Sequence, residues 1–272
     1  MTDQRKYVSK LAGKHVLIIG GSSGIGYGVA EASLEHGATV TISSSNASRL
    51  DAAVAKLSTS YPTAAADSRI SAGVVCDLSN EDTLEANIAN LFATITGRPS
   101  PANTIINHVV YCAGDALATL PLADASLPRI KQAGAVRFFG PLLAAREAAK
   151  HLPRSTTSSF TLTSGSVAQR PLPGGWAVVG SYATGLLGMA RSLALELAPV
   201  RVNCVAPGVV DTGLWRTMGD AEKEEMFRGV EEKLPTGRVG RVEDVVEAYL
   251  YLMRDGNATG SVVSTNGGAL LV

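Results

Sequence analysis

Cysteine is scarce. The three present, Cys76, Cys112 and Cys204, are scattered through 272 residues with no Cys-x-x-Cys pair and no histidine at ligand spacing. That excludes a disulfide framework and leaves no sequence case for a zinc site or any other metal. The three read as reduced, buried thiols in a reducing compartment. An excess of one charge is also missing: Lys+Arg is 24 and Asp+Glu is 24, with no basic run. The electrostatic footprint of a nucleic-acid binder is therefore absent. No uninterrupted apolar run approaches the ~18 residues of a membrane span. Met1 to Lys10 is polar, without the apolar core of a secretory signal. A cytoplasmic protein with neither nucleic-acid nor membrane partners is expected.

What the chain does contain is apolar material, 46% of its residues, enough for one sizeable core. Short β-branched runs alternate with longer helical patterns. Strands are expected at His15–Ile19, Thr39–Ile42, Ser71–Val75, His108–Tyr111, Phe160–Thr163, Val200–Val205 and Gly260–Ser264. Helical patterns fall at Ile25–His36, Leu50–Leu57, Glu81–Phe92, Leu127–Leu152, Val179–Leu197 and Val242–Met253. Such alternation implies βαβ units and a parallel sheet, with right-handed crossovers and helices on both faces. Ala64–Asp67 and Gly97–Asn103 read as loops inside a single domain spanning 1–272. A charged stretch, Met218–Glu232, interrupts the alternation and reads as a lid (about 213–233) or as ordinary exposed helix.

Between the first strand and first helix stands Gly20-x-x-x-Gly24-x-Gly26. Glycine there permits close approach to a pyrophosphate, and the helix N-terminus offers free N–H groups to the anion. Ile25 continues that turn, and Ser22 and Ser23 add hydroxyl donors. Five further segments accompany it: CDLS (Cys76–Ser79), YCAG (Tyr111–Gly114), LTSGS (Leu162–Ser166), RSLALELAPVRVNCVAPGVVDT (Arg191–Thr212) and TGSVVSTNGG (Thr259–Gly268).

With these the chain resembles the short-chain dehydrogenase/reductase (SDR) family along essentially its whole length. The resemblance implies a single-domain α/β Rossmann fold with a seven-stranded parallel sheet, the dinucleotide lying over the C-terminal strand ends. It implies Asp77, with Leu78 beside it, near the adenine, and the Ala113–Gly114 backbone along the adenosine ribose. It implies Pro207–Thr212, including Gly208 and Val210, around the nicotinamide, with Thr212 contributing its side chain. The family also implies a homodimer or homotetramer paired through two long helices.

An acidic residue at the end of the second strand would bind the ribose hydroxyls of NAD. Here Ile42-Ser43-Ser44-Ser45-Asn46 carries none. Hydroxyls and an amide can donate to a 2′-phosphate, so Ser44, Ser45 and Asn46 favour NADP(H), although no arginine sits in this segment or in the glycine turn.

The family's chemistry uses a tyrosine, a lysine four residues later, a serine and a helical asparagine. Aligned without gaps on Gly185–Arg191, the tyrosine position falls on Val179 and the lysine position on Ala183. The serine is kept as Ser166, and the asparagine position carries Arg137. Tyr182 shares part of a helix face with Val179, for a substitute role or for packing. Arg137 could fix a substrate carbonyl or carboxylate, or form a structural ion pair. Trp176, in the loop before the helix, could pack on a flat substrate or merely pack its loop.

This altered set resembles a branch of fungal specialised-metabolism SDR proteins, similar to an indole-alkaloid reductase type that also guides a Diels–Alder reaction. That type uses an arginine, a tryptophan and an aspartate. Arg137 and Trp176 match it, but Pro173 stands at the expected acid, and no Asp or Glu lies between Ser164 and Tyr182. Three functions follow. One is an NADPH-dependent reductase of a bulky, apolar, preactivated C=N or C=O small molecule. The second is a redox-neutral cyclase or isomerase with the dinucleotide as scaffold, and the third is a non-catalytic cofactor-binding protein.

Overall fold

The structure, a computed structural model, describes residues 6–98 and 105–272. Part of the Gly97–Asn103 loop lies outside the described residues. Seven strands form one parallel sheet in the order β3-β2-β1-β4-β5-β6-β7. They are β1 (His15–Ile19), β2 (Thr39–Ser44), β3 (Val74–Val75), β4 (His108–Tyr111), β5 (Ser159–Thr163), β6 (Arg201–Pro207) and β7 (Val262–Thr265). The order reverses between β1 and β4, which opens a crevice beyond their C-terminal ends, the place where doubly wound sheets bind ligands.

Alternation along β1 separates two cores. Leu17 and Ile19 face a layer completed by α4 (Leu84–Thr96), α6 (Gly140–His151) and α7 (Ala177–Glu196). Val16 and Ile18 face the other, completed by α1 (Gly24–Glu35), α2 (Ala47–Ser60) and α9 (Val242–Arg254). The central strands are buried on both faces, which is why they read as continuous apolar runs, while the edge strands β3 and β7 are partly exposed.

Four expectations change. Ala64–Asp67 is largely not a loop: Pro62 opens a short helix, α3 (Pro62–Ala66), at a position where its missing N–H costs nothing. The Ser71–Val75 strand shrinks to two residues. The single helix expected over Leu127–Leu152 is broken into α5 (Leu127–Gly134), a π-turn at Ala135–Phe139, and α6. Finally, α7 is by length and composition apolar enough to cross a membrane, contrary to the sequence expectation. Half of that window is buried in the fold, with Leu186, Met189, Ala190 and Leu193 in the core. The charged stretch after β6 forms α8 (Asp220–Glu231), which buries no residue.

Candidate active site

The glycine turn is a cradle that side chains would fill. Gly20 has φ +88°, and a Cβ there would lie 2.4 Å from the backbone nitrogen of Ala113. A Cβ on Gly26 would lie 2.3 Å from the Gly20 carbonyl oxygen. The turn therefore packs backbone to backbone against the end of β4, and its outer side stays open for a phosphate. Ser23 is the N-cap of α1, yet its side chain makes no capping bond, so the first N–H groups of the helix keep their donors. The side chain of Thr212 closes the far side, with carbon atoms 3.3–3.4 Å from where a Gly24 Cβ would stand.

At the end of β2 the expected residues are wired together. Ser22 Oγ donates to Ser44 Oγ at 2.9 Å, and the Asn46 backbone N–H reaches the same oxygen at 3.4 Å. Asn46 Oδ1 caps α2 by accepting from the Arg49 backbone N–H at 2.8 Å, which leaves its NH2 end as a donor. Ser45 is exposed. The same cap brings in a residue that the strand-end segment does not contain. Arg49, in the first turn of α2, has its Nε buried without a hydrogen-bond partner. Its sequence signal is a basic residue three places beyond a polar helix cap, where it joins the positive end of the helix dipole. Arg49 thus brings a cation to the helix cap that follows Ser44 and Ser45, the charge that a phosphate pairs with.

Asp77 sits in a fixed turn: its Oδ1 accepts from the Ser79 N–H at 2.9 Å and from Ser79 Oγ at 2.8 Å. Leu78 is buried behind it. Beyond β6, the Gly208 N–H donates to Thr265 and the Asp211 N–H to Gly240, pinning the Pro207–Thr212 segment. The Val210 carbonyl accepts from Trp215 Nε1 at 2.9 Å, and Thr212 Oγ1 accepts from the Leu214 N–H at 3.3 Å. A cavity of about 450 Å³ opens between this segment and the start of α8, walled by Thr212, Trp215, Met218 and Lys223 among others.

The structure places the residues that the alignment assigns to the catalytic positions as follows. Val179 is buried, and the Ala183 carbonyl accepts from Ser164 Oγ at 2.8 Å. Ser166 opens a short 3-10 turn after β5, and its hydroxyl makes no hydrogen bond among the described residues. Tyr182 takes the packing alternative. Its hydroxyl donates to the Ile130 carbonyl at 3.0 Å, and its ring lies 5.0 Å from Phe138 and 5.9 Å from Phe139. Burial raises its pKa, the wrong direction for a proton donor at neutral pH. Trp176 is the half-buried N-cap of α7, and the adjacent Gly175 carbonyl holds Leu120 at 2.8 Å.

Arg137 lies in the π-turn, a deformation common at functional sites. Its Nε donates to Asp115 Oδ1 at 3.0 Å and its Nη2 to the Asp115 backbone carbonyl. The acid that contacts Arg137 therefore lies one residue past the YCAG segment. The thiols expected to be buried differ among themselves. Cys76 and Cys204 are buried, with pKa values pushed up to about 12 chiefly by desolvation. Cys112 is only half-buried, at about 11 for the same reason.

A seven-stranded, doubly wound sheet with a phosphate cradle at its switch point defines a dinucleotide-binding α/β protein. The SDR-like Rossmann domain family model matches residues 7–272, and the chain belongs to that family. It is 45% identical, over the full length of both chains, to the short-chain dehydrogenase/reductase fsr5 of Gibberella fujikuroi. The MalC reductase/Diels-Alderase of Malbranchea aurantiaca superposes with a TM-score of 0.89 at 40% identity, covering 98% of this chain and all of that one. An NADPH-bound short-chain oxidoreductase with an atypical catalytic centre, from Pseudomonas aeruginosa, superposes with a TM-score of 0.80 at 24% identity, over 94% of this chain and 96% of that one, a likeness of fold.

Proposed function

We propose that the protein is a cytoplasmic NADPH-dependent reductase of specialised metabolism, acting on a preactivated C=N or conjugated C=O group in a bulky, largely apolar small molecule. One observation supports this above all: the glycine cradle is packed so that no side chain fits it, while the alignment puts Val179 and Ala183 where the family has its tyrosine and lysine. NADPH would supply a hydride. Gly20, Gly24, Gly26 and the α1 N-terminus would hold its pyrophosphate, and Ser22, Ser44, Asn46 and Arg49 its 2′-phosphate. Pro207–Thr212 would flank the nicotinamide. Ser166 and Arg137 supply donors to the substrate, and Trp176 offers a flat apolar wall. An iminium or conjugated acceptor needs no strong general acid, so orientation supplies much of the rate. Self-association through α6 and α7 into a homodimer or homotetramer completes the proposal.

The test is absorbance at 340 nm with candidate iminium and conjugated-carbonyl acceptors. NADPH consumed in step with product supports a reductase. Product formed without NADPH loss overturns it in favour of a redox-neutral cyclase, the alternative favoured by the reductase/Diels-Alderase relative.

A further inference from the structure

An arginine side chain has two donor edges: a side-on fork of Nε–H and one Nη, and an end-on fork formed by the two Nη groups. In Arg137 the side-on fork is fully used, Nε by the Asp115 carboxylate and Nη2 by the Asp115 backbone carbonyl. One residue therefore grips the guanidinium at two points. Gly114 supplies the floor. A Cβ there would lie 2.9 Å from both Nη atoms, so the guanidinium rests directly on the Gly114 backbone. Nη1 takes no hydrogen bond among the described residues, and the Arg137 side chain remains 26% exposed. Its charge is held in place while its outer edge stays available.

We propose that Asp115 is a positioning residue, and that the clamped outer edge of Arg137 is an oxyanion-binding donor. The proposal deepens the reductase assignment and rests on it. It also narrows the substrate class. Arginine does not surrender its proton near neutral pH, so it can stabilise a developing oxyanion but cannot protonate it. The matching substrate is a conjugated carbonyl, an enone or quinone. When such a substrate accepts hydride from NADPH at carbon, the C=C or ring π electrons shift toward oxygen. The product is a delocalised enolate or phenolate, which later takes its proton from water. A simple ketone would yield a strongly basic alkoxide and would be reduced poorly.

Ionisation of a chromophoric phenol tests the subsite without turnover. Protein loaded with NADP⁺ is titrated with 4-nitrophenol, and the apparent ionisation of bound probe is read from phenolate absorbance across pH. Wild type should favour the phenolate by about tenfold or more over free probe. Arg137→Lys should lose that preference, because an ammonium lacks the fork. Asp115→Ala should lose it too, by releasing the guanidinium. Asp115→Asn should keep or strengthen it, since the amide oxygen still accepts from Nε while a competing negative charge is gone. Gly114→Ala displaces only the far end of a side chain, so it should weaken the preference in a folded protein. NADPH titration of each variant checks folding and cofactor binding.

Absence of probe binding, or no ionisation preference in wild type, overturns the oxyanion site. Asp115→Asn behaving like Asp115→Ala overturns the positioning role and makes the carboxylate itself the active group. Asp115→Ala equal to wild type shows that the clamp is not needed. Failure of the reductase assignment is distinguishable: the phenolate preference would persist while no acceptor oxidises NADPH.

Discussion

Arg49 differs from every other candidate in the cofactor cradle because it alone brings a full positive charge. Its Nε is buried and unpartnered, and it sits at the positive end of α2. A charge-assisted bond to a phosphate is stronger than the neutral bonds available from Ser22, Ser44 and Asn46. Arg49→Ala should therefore weaken NADPH binding by about tenfold or more while leaving NADH binding nearly unchanged. Paired fluorescence titrations measure both constants. Equal weakening of both would place Arg49 in the fold rather than at the 2′-phosphate. The difference in legibility between these residues is instructive. Gly20, Ser22 and Ser44 could be read directly, because their roles follow from local backbone and from the strand end they occupy. Arg49 could not, because it lies in the next element and joins the cluster only through the Asn46 cap. Asp115 was hidden for a related reason: its relation to Arg137 spans the gap between β4 and the π-turn. Tyr182 shows the reverse case. Helix periodicity put it near the site, and the carbonyl of Ile130 in α5 claimed its hydroxyl.

The strands were legible because burial on both faces leaves continuous β-branched runs. The break in the Leu127–Leu152 helix was legible only in Pro141, whose missing N–H ends a continuous helix there; the rest of its cause is tertiary. Tyr111, from β4, donates to the Val136 carbonyl at 2.6 Å, and Gly140 gives that ring room: a Cβ there would lie 2.3 Å from the Tyr111 hydroxyl. Tyr111→Phe should leave a buried carbonyl unsatisfied and cost about 1–3 kcal/mol, read by denaturant unfolding. It should also disturb the turn that carries Arg137. β4 makes a second prediction through His108. Burial, reinforced by Arg201 and Lys14, lowers its pKa from 6.5 to about 3, and its Nδ1 pairs with Ser159 Oγ at 2.8 Å. Above pH 6.5 the ring is neutral in both folded and unfolded chains. As pH falls from there toward about 3, only the unfolded chain gains the proton, so stability is lost on acidification. His108→Asn should remove that contribution, shrinking the stability difference between pH 7 and pH 5 by up to about 2 kcal/mol. An unchanged pH slope in the variant would show that His108 is protonated in the native state.

Across the whole molecule, stability and access divide between two regions. The sheet and its two apolar layers form a continuous core, whereas α8 buries no residue. Two polar contacts tether it among the described residues: Lys223 to Asp211 at 2.7 Å, and the Val239 N–H to Glu231 Oε1 at 3.2 Å. The first joins α8 to Asp211, which belongs to the Pro207–Thr212 segment proposed to flank the nicotinamide. An exposed ion pair contributes only ~0.2–1 kcal/mol. The tether is weak by this magnitude, which suits a segment that must admit and release a bulky molecule above a rigid cofactor site. Lys223→Met should therefore raise opening of α8 by up to about fivefold, measured as amide hydrogen exchange over Asp220–Glu231. Exchange in β4 and β5 should stay unchanged, because their hydrogen bonds open only with the core. Wild-type α8 should also exchange faster at high salt, and the variant should lose that dependence. If α8 exchanges at the same rate in both proteins, Lys223 does not hold it down and substrate access is gated elsewhere.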